Sequence, residues 1–433
     1  MLPEIIYNVT IYCDRKSKYQ CSLVSRRWNA NIKWRKDERN CAFQWASQHG
    51  HLGVVQRLLL DKRVDPSASY NYAICWASQY GHLCVVDRLL SDERVDPSAN
   101  DNDPIRCASQ YGHLGVVQRL LLDKRVDPST NDNAVIRGAS GQGHLGVVQI
   151  LLLDDRVDPS ANDNDAIRWA SQYGHLGVVE RLLLDERVDP SASDNQAIRW
   201  VSRQGHVGVV QRLLLDDRVD PSANDNQAIR WASENGHHCV VDRLLSDEHV
   251  DPSASENEAI RWASSRGHLG VVGRLLLDER VDPSASQNAA LRWASRQGHL
   301  GVVERLLSNE RVDPSASENE AIRRASRQGH LGVVDRLLSD ERVDPSANDN
   351  QAIRRASRQG HLGVVDRLLS DERVDPSARD DYAIRYASEN GHLGVGYRLL
   401  SDERVDPSVS NNTAIVWASA YWAPRCCSTT PFR

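Results

Sequence analysis

The chain has 433 residues, 40% of them hydrophobic and 26% charged, with a formal charge of −6 and a mean hydropathy of −0.53. An ordered, soluble protein is expected from that balance, without gross attraction to nucleic acid or anionic lipid. No apolar run approaches the roughly 20 residues of a membrane-spanning helix. The nine cysteines include no Cys-x-x-Cys, so free thiols in a reducing compartment, cytoplasmic or nuclear, are expected.

Residues 1–36 stand apart from the rest of the chain. Met1 to Asp14 lacks a basic flank and a small-residue cleavage site and carries Glu4, so no secretory leader is expected. The opening Leu2-Pro3-Glu4-Ile5-Ile6 and the segment Cys21-Ser22-Leu23-Val24-Ser25-Arg26-Arg27-Trp28-Asn29 resemble the F-box, a small helical motif that docks on a Skp-type adaptor. The resemblance implies a substrate-recruiting subunit of a cullin-RING (SCF-type) ubiquitin ligase, with Leu2, Pro3, Ile5, Ile6, Leu23, Val24 and Trp28 as adaptor-binding residues. In physical terms Leu23, Val24 and Trp28 suit a short helix anchored in a partner's groove. Cys13, Arg15 and Lys18 stand where that family has leucine. The residues alone equally suit an N-terminal helical cap for the array that follows.

Residues 37–411 are periodic. A Gly-His pair recurs from Gly50-His51 to Gly391-His392, twelve times at an interval of 31, and Asp-Pro keeps the same interval from Asp65-Pro66 to Asp406-Pro407. A period of this length marks one small unit that buries its apolar face only by stacking on its neighbours. In one copy, Ala197, Ile198 and Val201 share a side of a short helix, and Val209, Val210, Leu213 and Leu214 mark a second. Gly205 between them supplies a left-handed residue to end the first helix. Val219-Asp220-Pro221-Ser222 is expected to be extended or turned, and the Ala-x-x-Asn stretch after it to project as a polar loop. Pro104 falls in the first turn of a first helix, where proline is tolerated. Twelve of the fifteen histidines come one per repeat, too far apart to converge on a metal, so no metal or other cofactor is expected.

These motifs resemble the ankyrin repeat: Ala-Ile-Arg-Trp-Ala-Ser stands where that family has Thr-Pro-Leu-His-x-Ala-Ala, and Gly-His-Leu-x-Val-Val-x-x-Leu-Leu is close to its second-helix signature. The resemblance implies an all-α solenoid of stacked helix-turn-helix units whose concave face binds a protein partner. The repeat here is 31 rather than 33 residues long, with one more residue after the Leu-Leu pair and about three fewer at the hairpin tip. A shorter finger shifts weight to the helical wall as the binding face.

Near-identical repeats act as their own control, because positions that differ between them are not dictated by stacking. One first-helix position is tryptophan at Trp45, Trp76, Trp169, Trp200, Trp231, Trp262, Trp293 and Trp417, but Cys107, Gly138, Arg324, Arg355 and Tyr386 elsewhere. The two residues before Gly-His also vary, as at Tyr173, Arg203, Arg296, Arg327 and Arg358, and in the ankyrin family this stretch lies on the concave side. The expected partner-binding set is therefore Trp169, Tyr173, Trp200, Arg203, Trp231, Trp262, Trp293, Arg296, Arg324, Arg327, Arg355, Arg358 and Tyr386. The tryptophans either form an aromatic ladder or pack between helix pairs. With Arg292, Arg323 and Arg354, the arginines of repeats nine to eleven make a basic stretch suited to an acidic segment. Asp-x-Arg-Val-Asp runs are expected to form ion-pair ladders of little individual worth. No polar constellation breaks the repeat, so no enzyme is expected.

Two local departures complete the reading. Gly138 and Gly141 in the first helix of repeat four, with Ile150 for the usual arginine, predict a soft joint over residues 134–153. A thirteenth repeat starts at Asn412-Thr413-Ala414-Ile415 and breaks after Trp422. A back-translation of 422–433 moved by one base reads Gly-His-Leu-Gly-Val-Val-Val-Arg-Leu-Leu-Ser, so 412–433 is expected to be a frameshifted, truncated repeat.

Overall fold

The structure, a computed structural model, describes residues 36–406. The adaptor-binding set Leu2, Pro3, Ile5, Ile6, Leu23, Val24 and Trp28, and the broken repeat at 412–433, lie outside the described residues. Among those described there are 24 helices and no strand, alternating in pairs at the 31-residue interval. They divide into two compact units between Ala197 and Ile198.

Repeat seven, in the second unit, shows how one period folds. Its first helical segment, Ala223–Glu234, buries Ala228, Ile229 and Ala232 completely, and its second, His238–Leu245, buries Val240, Val241 and Leu244 almost as fully. Burying each larger aliphatic side chain contributes about 1.5–3 kcal/mol, which gives such short helices the stability that length alone denies them. Gly236 turns the corner between them at φ 80°. Within each unit first helices pack on first helices of the next repeat, and second helices on second helices. Pro104 is buried at the start of the right-handed part of its helix, as its register predicts.

The stretch expected to project as a loop does not. Asn224, Asp225 and Asn226 are all left-handed, with φ of 59°, 60° and 58°, and coil directly into the helix that follows. The same three-residue left-handed turn opens the first helical segment of each repeat from Ser69-Tyr70-Asn71 to Arg379-Asp380-Asp381. Asparagine tolerates this conformation better than most residues, and here its side chain has a second task. In unit one Asn71 Oδ1 accepts the backbone N–H of Asp96 at 2.9 Å, and in unit two Asn226 Oδ1 accepts that of Asp251 at 2.7 Å. The buried side chain thus satisfies an amide of the next repeat that proline geometry leaves outside any helix.

Histidine does the same at the other end of the hairpin. In unit one His113 Nε2 donates to the Gln79 carbonyl at 2.8 Å, and in unit two His237 Nε2 donates to the Arg203 carbonyl at 2.9 Å. A carbonyl only accepts, which places the imidazole proton on Nε2. The ring lies so close to the preceding corner glycine that a Cβ on Gly81 would sit 2.5 Å from His113 Nδ1. Gly81, at φ 75°, therefore answers both to the turn and to its neighbour's ring.

The acid–base runs depart from the expected ladders. Asp185 pairs with Arg187 two residues on, at 2.8 Å, inside one turn rather than along the array. The guanidinium so fixed donates from Nη1 to the Val157 carbonyl of the preceding repeat, also at 2.8 Å. Arg280 repeats this in unit two, held by Asp278 and donating to the Val250 carbonyl at 2.7 Å. The aspartate is a splint for an inter-repeat hydrogen bond. Inter-repeat ion pairs are made by other residues, as from Arg274 to Asp242 at 2.5 Å between second helices and from Arg292 to Glu320 between first helices.

Candidate protein-binding surface

The registers that vary between repeats come together on the first helices. Trp169 in unit one, and Trp200, Trp231, Trp262 and Trp293 in unit two, are all half-buried, as are Arg324, Arg355 and Tyr386 at the same register. Tyr173, Arg203, Arg296, Arg327 and Arg358 are exposed beside them. Each half-buried side chain thus has one face in the stack and one at the surface, sharing features of both readings of the tryptophans.

An unbroken aromatic ladder is not what the rings form. In unit two Trp262 and Trp293 meet with centroids 5.6 Å apart and planes at 51°. Elsewhere arginines interleave: Arg203 lies 5.2 Å over the Trp231 ring, Arg261 5.6 Å over Trp293, and Arg358 5.3 Å over Tyr386. In unit one Arg137 covers Trp169 at 5.7 Å. Alternating guanidinium planes and rings make a surface that is rigid, wide and amphipathic, the composition enriched at the energetic centres of protein interfaces.

The model of the family described as ankyrin repeats (3 copies) matches residues 43–132, 74–163 and 229–318. The three starts, 43, 74 and 229, differ by one and by five multiples of the 31-residue period, so every match falls in the register of the observed hairpins. The matched stretches are ankyrin repeats, and the other described repeats keep their hairpin and period. No curated protein matches the chain. Ankyrin repeats build protein–protein interaction surfaces, and this ankyrin solenoid is all-helical among its described residues. No described helix is long and apolar enough to cross a membrane.

Charge is unevenly balanced along the ankyrin face. In repeat ten, burial works against the charge on Glu320, but Arg292 of the preceding repeat and Arg324 at 2.6 Å outweigh it and hold the carboxyl below its ordinary range. One repeat further the equivalent of Glu320 is Gln351, a neutral group that accepts from Arg323. Arg354 is buried, donating to the Asp349 and Asn348 carbonyls at 2.7 and 2.9 Å and lying over the Tyr382 ring. Arg355 is held below its usual basicity by burial and then by the like charges of Arg327, Arg323 and Arg354.

Two of the described thiols, Cys75 and Cys107, are built for packing rather than attack, while Cys41, Cys84 and Cys239 are exposed. Cys107 sits beside Asp103 at 3.3 Å, and burial followed by that carboxylate pushes its thiol up to about 12, while deeper burial drives Cys75 higher still. A register overlooked in the sequence lies after the Leu-Leu pair: Leu60, Leu122, Leu153 and Leu184 of unit one are 72–78% exposed. Ser91 holds that register in repeat two, so stacking does not require leucine there, and the Leu/Ser alternation was the available signal. The histidine and asparagine contacts had no such signal, since each joins residues 34 or 25 positions apart that are invariant or unrelated in type.

Proposed function

We propose that this chain is a non-catalytic recruiting protein: its ankyrin first-helix face holds a target protein while residues 1–36 dock a Skp-type adaptor of an SCF-type ubiquitin ligase. The observation that carries target binding is the register of half-buried rings and guanidiniums, in which Arg203 covers Trp231 and Arg358 covers Tyr386. Such planes offer large contact area with few rotatable bonds to immobilise. Trp169, Tyr173, Trp200, Trp262, Trp293, Arg296, Arg324, Arg327 and Arg355 complete the binding set, on the side the family presents as concave. Adaptor docking rests on the Leu2-Pro3-Glu4-Ile5-Ile6 opening and on Leu23, Val24 and Trp28. A cytoplasmic or nuclear setting follows from the need to meet that ligase.

The test is capture of the full chain by an immobilised Skp-type adaptor, comparing the unaltered protein with Leu23→Asp and Trp28→Ala. Capture abolished by both changes supports the reading; no capture of the unaltered chain refutes the adaptor half. A second reading, a stand-alone ankyrin scaffold, is favoured by Arg15 and Lys18, which put charge where the F-box family buries leucine. It predicts target binding without adaptor capture, so the same comparison separates the two.

A further inference from the structure

We propose that Arg355, flanked by Arg327 and Arg358, is a carboxylate subsite that receives an acidic side chain from an extended segment of the bound protein. This rests on the target-binding reading above and names the chemistry of its partner. Three successive repeats in unit two differ at two registers. In repeat ten the pair is Glu320 and Arg324, joined at 2.6 Å; in repeat twelve it is Tyr382 and Tyr386, stacked with centroids 4.0 Å apart. Repeat eleven has Gln351 and Arg355, and among the described residues no acid pairs with that arginine.

Arg355 is half-buried, so it has lost part of its hydration without gaining a counter-charge. Its charged neighbours are mostly of its own sign, with Glu320 the one opposing group and already engaged by Arg292 and Arg324. Arg358 stands one helical turn on, and Arg327 occupies the Arg358 register one repeat earlier; both are exposed. The guanidinium of Arg358 is braced at 5.3 Å over Tyr386, which restricts its swing. A carboxylate entering between Arg327 and Arg358 takes over the role that Glu320 plays one repeat earlier, with planar, bidentate geometry available to it.

The occupant is a polypeptide rather than a nucleic acid. A phosphate backbone requires a long continuous run of cations, whereas in this patch the exposed cations at the Arg358 register, Arg296, Arg327 and Arg358, end at exposed Glu389. Tryptophan or aromatic residues replace the charge beyond it, at Trp293 and Tyr386, giving apolar flanks to a short acidic motif.

Two substitutions test this with residues that sister repeats already carry. Arg355→Trp installs the side chain of repeat nine, and Gln351→Glu copies Glu320 and closes the subsite from within. Thermal unfolding of both full-length variants should match the unaltered protein. The probe is a fluorescein-labelled hexaglutamate peptide followed by anisotropy at low ionic strength, with hexaglutamine as control. Each substitution should weaken hexaglutamate binding about tenfold, and added salt should weaken binding to the unaltered chain. Unchanged affinity in both variants, equal binding of hexaglutamine, or tighter binding of a single-stranded oligodeoxynucleotide of equal charge overturns the proposal. The result is independent of adaptor capture, and a chain that takes its target unchanged after Arg355→Trp leaves the recruiting reading standing while this subsite falls.

Discussion

Asp381 breaks a rule that ten equivalent residues keep. Asparagine occupies this end of the left-handed turn from Asn71 to Asn350, and its neutral carbonyl oxygen accepts the next repeat's amide. Asp381 is equally buried, yet its bond to the Asp406 amide is longer, at 3.3 Å against 2.7 Å from Asp375 to Asn350. Burial raises the carboxyl above its ordinary 3.8, and the nearby acids Asp406, Asp375 and Asp380 add to the effect against the amide's pull. A raised folded value means the folded chain holds this proton more tightly than the unfolded one. The group therefore favours folding at low pH and turns against it as pH climbs through the folded value. Asp381→Asn should stabilise the chain at pH 7 by about 1 kcal/mol in urea unfolding, with the gain vanishing below pH 3.8. Residue-scale roles of this kind were the least legible in the sequence. The histidines could be counted and cleared of metal binding, but nothing local says that each donates to a carbonyl 34 residues earlier.

At the scale of one helix, repeat four is the informative departure. Its first helical segment, Thr130–Gly141, carries Gly138 and Gly141, and the two glycines sit in different surroundings. A Cβ on Gly138 would meet nothing closer than Gln110 Cβ at 3.9 Å, whereas one on Gly141 would lie 3.3 Å from Trp169 Cε3. Gly138→Ala should therefore gain about 1 kcal/mol of helix stability, and Gly141→Ala distinctly less because the indole must give way. Hydrogen exchange over 134–153 reads both changes, with protection in the unaltered chain below that of neighbouring repeats. Helix existence was legible because Ala-Ile and Val-Val/Leu-Leu stripes recur with Gly-His between them, and Pro104 fixed the register. The left-handed turn was not. Asn, Asp and Ser announce a turn without fixing its hand, and the buried amide contact that selects it lies in another repeat.

For the whole chain, the aspartate splints link stability to acidity. Arg187 and the local amide hold Asp185 below its ordinary range, and the same hydrogen bonds recur at Asp92, Asp123, Asp278 and Asp371; at Asp61 the value falls to about 2. A lowered folded value gives stability that is present above 3.8 and is lost as pH falls through the folded value. Urea midpoints followed by circular dichroism should thus be flat through neutral pH and drop steeply below about pH 4, repeat after repeat losing the same support. The array itself was the most legible feature, since a 31-residue interval repeated twelve times admits few alternatives. The registers proposed for binding stood out in the sequence as variable positions, while their interleaving of guanidinium and ring depends on packing between repeats. Because the joints around repeats ten and eleven are made by the same histidine, asparagine and arginine contacts, excision of residues 324–354 would bring Arg323 up to Arg355 with those seams intact. Recombination between near-identical segments can then shuffle the order of side chains offered to a partner while the scaffold registers no change.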